Sequence, residues 1–521
     1  MLTPSAVKGL GGVAVRMLAT LMILLLEVFV VGACALATRP TVTQPPGLRL
    51  GHTPTDVPST AAAPATVAAA QVVSDEVAAG EVLVGHWEGE IAVAGQRIGI
   101  ALDFALREGQ LVGIMDVPEQ GAAGIPLRNL RLALPQVHFE AFEGLRLATF
   151  EGRVVGEELS GSFSQVGFSG TFRVRRLAQA QEALPYREEE VTFTSGGLKL
   201  AGTLTLPEGD GPFPAVILIS GSGAQTRDED IFGFKVFRRL ADHLTRNGIA
   251  VLRYDDRGVG GSEGNLLECT TACLAEDARA AVAFLQGRPE IDRGRIGLLG
   301  HSEGGLVAVM VAASSADVSF VVLLAGPALP GEEILKRQLA LIMRAQGASE
   351  EDIARAQERQ ARTFAAVRTG AGWEELRTQM EAEIRAAVLA LPEEQRKALG
   401  DLDEFVRRSA AEQLAQVQAP WFRFFLDYDP RPDLQMVRVP VLALYGERDL
   451  QVPAEANAAA LREALRAGGN AAFDIFVIPE ANHLFQRAIT GAPDEYAKLE
   501  KDFAPGVLEL IARWILGLAA R

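Results

Sequence analysis

A chain of 521 residues is too long for one ordinary domain, and its length points to about three to four units. With 48% hydrophobic residues it can bury true cores, while 66 acidic against 50 basic residues, a net charge of −16, argue against a phosphate-tracking nucleic-acid binder. Six histidines, three cysteines and no Walker loop, HExxH or paired CxxC leave no motif for nucleotide or metal chemistry.

Lys8 and Arg16 precede an apolar run, Met17 to Leu26, that resumes after Glu27 and ends in Val31-Gly32-Ala33-Cys34. A positive start, an apolar stretch and small residues before a cleavage site make residues 1–36 an expected export or anchoring segment. The last four residues resemble a lipobox, with Cys34 as the lipidated residue. Ordinary secretion and an uncleaved span over about residues 17–37 stay open, since Glu27 opposes a lipid setting. Residues 37–80 are rich in Pro, Thr, Ala and Val without aromatics and read as a tether. All three readings put the rest of the chain outside the cytoplasm, at or near a membrane. There Cys269 and Cys273 would close a local disulfide; the alternative is two unpaired small apolar residues.

Over 81–178 the apolar period is two. Ile98, Ile100, Leu102 and Phe104 alternate with smaller or polar residues, and short runs recur at 111–115, 137–142, 158–163 and 171–175. This spacing predicts a small antiparallel barrel or sandwich. Trp87 and Asp116-Val117-Pro118-Glu119-Gln120 are open to two readings, a ligand pocket or core packing and a turn.

From 185 to 521 the character changes. After an antiparallel opening pair at 191–194 and 198–206 come runs apolar on both faces, at 215–219, 249–253, 296–299, 320–324, 441–445 and 473–478. Helical patterns at 234–247, 275–286 and 454–467 lie between them, which predicts a doubly wound α/β fold with a mostly parallel sheet.

Directly after the run at 296–299 stands Gly300-His301-Ser302-Glu303-Gly304. A strained strand-to-helix turn needs small neighbours if Ser302 is to project as a nucleophile, and the Glu303 amide then faces the developing oxyanion. The hydroxyl needs a base, and His483 is the one histidine that follows it. The orienting acid is expected after the preceding strand: Asp449, with Glu447 the weaker competitor. A second oxyanion donor is expected in Ser220-Gly221-Ser222-Gly223, with the Ser222 N–H first and Gly223 next. His301 is read as packing beside the elbow, and Tyr254-Asp255-Asp256-Arg257-Gly258 as a loop braced by an ion pair.

Ser220-Gly221-Ser222-Gly223, Arg253-Tyr254-Asp255-Asp256-Arg257-Gly258-Val259-Gly260, Gly300-His301-Ser302-Glu303-Gly304-Gly305 and Asn482-His483-Leu484-Phe485 resemble bacterial EstD-type carboxylesterases of the α/β-hydrolase superfamily. The resemblance covers about residues 82–521 and implies hydrolysis of small-molecule, short-chain acyl esters with no metal or organic cofactor. Ala224 and Thr226 depart from the family's usual loop, where proline and a polar acid stand. The segment 330–430 has helical patterning throughout and is expected to form a cap over the site. Five aromatics among Pro420 to Tyr428 end it, and Trp421, Phe422 and Phe425 are read either as an acyl-pocket wall or as core between cap and sheet. A serine peptidase and an acyltransferase share the same catalytic set, and a surface binding module built on 81–178 is the alternative from another class.

Overall fold

The computed structural model describes residues 82–518, apart from 94–95, 108–109, 118–121, 142–146, 166–167, 178–183, 392, 394–395, 397–398 and 400. The leader with Cys34, the tether, and Pro118 to Gln120 therefore lie outside the described residues. Among the described residues, no helix is long and apolar enough to cross a membrane.

The chain divides into two compact units. The first is a nine-stranded sheet in the order β4-β3-β2-β1-β9-β8-β7-β6-β5. Its strands are β1 (Gly85–Val93), β2 (Gln96–Arg107), β3 (Gln110–Val117), β4 (Ala122–Pro126), β5 (Arg128–Ala133), β6 (Gln136–Ala141), β7 (Ala148–Val155), β8 (Glu158–Gln165) and β9 (Phe168–Arg176). β1 pairs antiparallel with both β2 and β9, setting Trp87 opposite Leu102 and Ile91 opposite Phe172. The alternation read for β2 holds, with Ile100, Leu102 and Phe104 buried.

Four strands, β1, β4, β5 and β7, were not legible as runs. In β7, Ala148, Phe150 and Val154 point inward, but Gly152 breaks the apolar alternation. Its missing side chain has a use, because a Cβ there would lie 2.7 Å from Cζ of Phe172. Phenylalanines fill the interior. Phe139 stacks on Phe150 at 4.6 Å between ring centroids, and Phe172 meets Phe150 edge-on at 5.2 Å. Trp87 is fully buried and its Nε1 donates to the Leu83 carbonyl at 2.8 Å, so it is a core residue rather than a pocket wall. Phe150→Ala is expected to destabilise this unit by about 3–5 kcal/mol, read as a lower denaturant midpoint for its transition.

The second unit is built on an eight-stranded sheet, in the order β10-β11-β15-β12-β16-β17-β18-β19. β10 (Tyr186–Ser195) and β11 (Leu198–Pro207) form the antiparallel opening pair. β12 (Phe213–Ile219), β15 (Ala250–Tyr254), β16 (Ile291–His301), β17 (Phe320–Leu324), β18 (Val441–Gly446) and β19 (Phe473–Ile478) are parallel. A two-residue pair, β13 (Asp230–Ile231) with β14 (Phe234–Lys235), precedes the first crossover helix. β12 lies between β15 and β16, so successive connections leave it toward opposite sides. A crevice forms at the carboxyl ends of strands at such a reversal. Burial of β12, β15 and β17 on both faces explains their unbroken apolar runs.

Helices α1 (Val236–Arg246), α2 (Thr271–Gln286) and α3 (Glu303–Ser314) connect these strands. α2 begins four residues before the apolar pattern suggests. Thr270 caps it, its side chain accepting from the Cys273 amide, and Cys269 and Cys273 are joined in a disulfide beside that cap.

Between β17 and β18 the insertion is helical, as read: α4 (Gly331–Ala345), α5 (Glu350–Thr369), α6 (Trp373–Leu389), α7 (Leu402–Gln418) and α8 (Pro420–Asp427). Ser349 caps α5 by accepting from the Asp352 amide at 3.1 Å, and Gly370 ends it in the left-handed region at φ 71°. A further helix, α9 (Arg431–Met436), buries Leu434 in the sheet-side core. The cap has its own apolar cluster, containing Phe364, Val406, Phe422 and Phe425, and Leu306 of α3 reaches into it.

Candidate active site

β16 runs out through His301, and α3 begins at Glu303. Between them Ser302 is held at φ 53°, ψ −120°, a conformation that costs a non-glycine residue about 1–3 kcal/mol. The Ser302 amide donates to the Leu324 carbonyl of β17 at 2.8 Å, which ties the turn to the neighbouring strand. Both flanking glycines are required by contact. A Cβ on Gly300 would lie 2.0 Å from the Gly304 carbonyl oxygen, and one on Gly304 would lie 2.1 Å from that of Ile219. Gly304→Ala must therefore push α3 off β12, and a loss of about 3 kcal/mol in unfolding free energy is expected, measured as a lower denaturant midpoint for this unit.

The loops after β18 and β19 bring Asp449 and His483 together. Asp449 Oδ2 accepts from His483 Nδ1 at 2.8 Å, and Oδ1 accepts from the amides of Gln451 and Val452, each at 2.8 Å. The arrangement fixes one face of the ring: Nδ1 carries the proton, and Nε2 is left as the acceptor in neutral imidazole. Glu447, the competitor, instead accepts from the Glu480 amide at 2.8 Å.

The loop after β12 carries Ser220 to Gly223. Ser220 Oγ donates to Asp256 at 2.9 Å, and the Gly221 amide donates to Glu229 at 2.8 Å. Burial pushes the Asp256 carboxyl well above the usual range, with the nearby charges of Glu229 and Asp255 adding to it. The expected brace is present and reaches further than the five residues read for it. Asp255 takes both arms of Arg227, at 3.0 and 2.7 Å, and Arg257 grips Asp277 of α2 at 2.7 and 2.6 Å. Bidentate guanidinium–carboxylate pairs of this kind fix orientation as well as distance.

Glu303 contributes more than its backbone. Its buried carboxylate accepts from Ser222 Oγ at 2.6 Å, Thr271 Oγ1 at 2.6 Å and Trp421 Nε1 at 2.7 Å. Burial raises its pKa, opposed by those three donors. The residue after Ser302 thus joins the glycine loop, the start of α2 and the cap. Of the three cap aromatics, Trp421 is half-buried and touches this group, whereas Phe422 and Phe425 are buried in the cap cluster. Their placement is that of core packing.

Glu229 and Thr271 were missed in the sequence. Glu229 lies within Asp228-Glu229-Asp230, which reads as one more acidic stretch on an acidic chain; its signal was its place eight residues after a glycine loop. It is fully buried, and its Oε1 lies 2.8 Å from His301 Nδ1. His301 packs beside the elbow, its ring centroid 4.9 Å from that of His483. Burial opposes a charge on His301, but Glu229 outweighs it and raises the imidazole above its usual value. Among the described residues, no group of three or more His, Cys, Asp or Glu side chains is arranged to hold a metal ion.

A mostly parallel sheet of this order, a strained serine after its fifth strand and a carboxylate–imidazole pair on the last two loops define the α/β-hydrolase class. A model of the alpha/beta hydrolase family matches residues 216–499, over half of the chain, and the chain belongs to that family. Esterase EstD of Thermotoga maritima is 29% identical over 336 residues, covering 64% of this chain and 68% of the relative. Esterase FrsA of Escherichia fergusonii is 31% identical over 139 residues, covering 26% of this chain and 31% of that relative. Among solved structures, the Pyrococcus furiosus esterase Pf2001 aligns over 62% of this chain and 92% of its own, at 18% identity and a TM-score of 0.38.

Proposed function

We propose that this chain is a serine carboxylesterase that hydrolyses short- to medium-chain acyl esters and works outside the cytoplasm. The observation that carries the reading is the 2.8 Å contact between Asp449 and His483 in a chain whose Ser302 occupies the strained turn after β16. Ser302 Oγ attacks the ester carbonyl, and His483 Nε2 takes the hydroxyl proton. Asp449 remains ionised and stabilises the imidazolium. The oxyanion is met by the N–H of Glu303, at the positive end of α3, and by that of Ser222. The Gly221 amide is already engaged by Glu229, which favours Ser222 as the loop donor. Each donor is worth about 3 kcal/mol at the transition state. His483 then protonates the departing alcohol. A water next gives a proton to His483 as its oxygen joins the acyl carbon. Collapse then breaks the bond to Ser302 Oγ, which takes that proton back from His483, freeing the acid and restoring the hydroxyl and the neutral imidazole.

Trp421 serves as the acyl-side wall, with Phe422 and Phe425 packed behind it. Export through the leader is supported by the Cys269–Cys273 disulfide, a bond that persists in oxidising compartments, and the lipobox-like Val31-Gly32-Ala33-Cys34 makes Cys34 the residue that would carry lipid. A panel of p-nitrophenyl esters from acetate to palmitate tests the activity, with turnover expected to fall toward the long acids. Aminoacyl amides cleaved as fast as the esters would replace this reading with a peptidase.

A further inference from the structure

Both ring nitrogens of His301 face acceptors. Nδ1 lies 2.8 Å from Glu229 Oε1, and Nε2 lies 3.1 Å from the backbone carbonyl oxygen of His483. A carbonyl oxygen cannot donate, so Nε2 carries a hydrogen. Glu229 Oε1 also accepts from the Gly221 amide at 2.8 Å, so it already serves as an acceptor from another side. Its second oxygen is buried without a partner among the described residues. A carboxylate so poorly solvated persists beside a cation more readily than beside a neutral ring. The other charged or titratable groups facing the ring are His483 and, behind it, Asp449.

The junction is tight. A Cβ on Gly221 would lie 3.2 Å from Ser302 Cβ, 3.3 Å from Glu229 Oε1 and 3.4 Å from His301 Nδ1. Glu229 itself is held at φ 48°, a left-handed conformation for a residue with a side chain. One chain of contacts therefore runs from the loop of the oxyanion donor, through Glu229 and His301, to the backbone of the base.

We propose that Glu229 and His301 form a buried ion pair, with His301 an imidazolium at the pH of catalysis, and that the pair sets the oxyanion loop and His483 in one frame. Both are positioning residues, since neither touches the reacting atoms. The inference rests on reading Ser302 and His483 as nucleophile and base.

The test uses the full chain labelled with ¹⁵N-histidine, with ring nitrogens followed by long-range proton–nitrogen correlation at about pH 8, where free imidazole is neutral. His301 is assigned by loss of its signals in His301→Gln. Both of its nitrogens are expected at the protonated position in the wild type. In Glu229→Gln one is expected to become unprotonated, with kcat lowered by roughly 100-fold and KM within about twofold. An unprotonated nitrogen on His301 in the wild type would overturn the proposal, as would Glu229→Gln with full kcat. Should Glu229→Gln not fold, the wild-type ring shifts alone decide. The nitrogen readout does not depend on turnover, so it fails separately from the esterase reading.

Discussion

Ser302→Ala is expected to lower kcat on a p-nitrophenyl ester by roughly 10⁵- to 10⁶-fold while leaving KM nearly unchanged. The substitution removes only an oxygen, from a residue whose conformation is imposed by its surroundings. The amide of Ser302 stays on the Leu324 carbonyl, and the glycines around it still fit. The backbone amides proposed as oxyanion donors therefore persist, and they would account for a residual rate. A fluorophosphonate probe offers a second measurement: the wild type takes up the label and the variant does not. Comparable turnover, or labelling at another serine, would remove Ser302 from the role of nucleophile.

Asp449→Asn is expected to cost roughly 10⁴-fold in kcat, about 5.5 kcal/mol of transition-state stabilisation, with little change in fold. The reason lies in the sites the carboxylate serves. Oδ1 is already committed to the amides of Gln451 and Val452, and only an oxygen can replace it there. The carboxamide must then turn its NH₂ toward His483 Nδ1. That makes Nδ1 the acceptor and moves the ring proton to Nε2, where it blocks uptake of the serine proton. Unfolding midpoints within about half a kcal/mol of the wild type, together with the kinetic loss, would separate this effect from damage to the loop. Glu447→Gln is the contrast, since Glu447 is turned to the Glu480 amide.

The elbow was legible because a tight strand-to-helix turn imposes glycine at fixed distances from the serine, and small residues in a pattern survive as text. His483 was legible through scarcity, there being one histidine after Ser302. Asp449 followed from its place after a strand apolar on both faces. Glu229 and Thr271 left no such trace, because their roles arise only when β12, β16 and α2 come side by side. A buried acid within an acidic chain looks like any other acid. The missed strands of the first unit have the same origin: in β7 a glycine makes room for Phe172 across the sheet, and that partner lies twenty residues away. Trp421, Phe422 and Phe425 could be read either as pocket wall or as core, since aromatic clustering marks burial without saying on which side of it the substrate lies.

The three donors on Glu303 bear on how this enzyme can be altered. Trp421 is part of the cap, yet its indole N–H ends on the residue whose backbone we propose as an oxyanion donor. On that proposal movements of the cap would be geared to the chemistry, since a helix shift that draws Trp421 outward would leave a buried carboxyl one donor short beside Ser302. Grafting a foreign cap to change acyl preference would alter the rate constant along with the specificity unless the indole and its reach were kept.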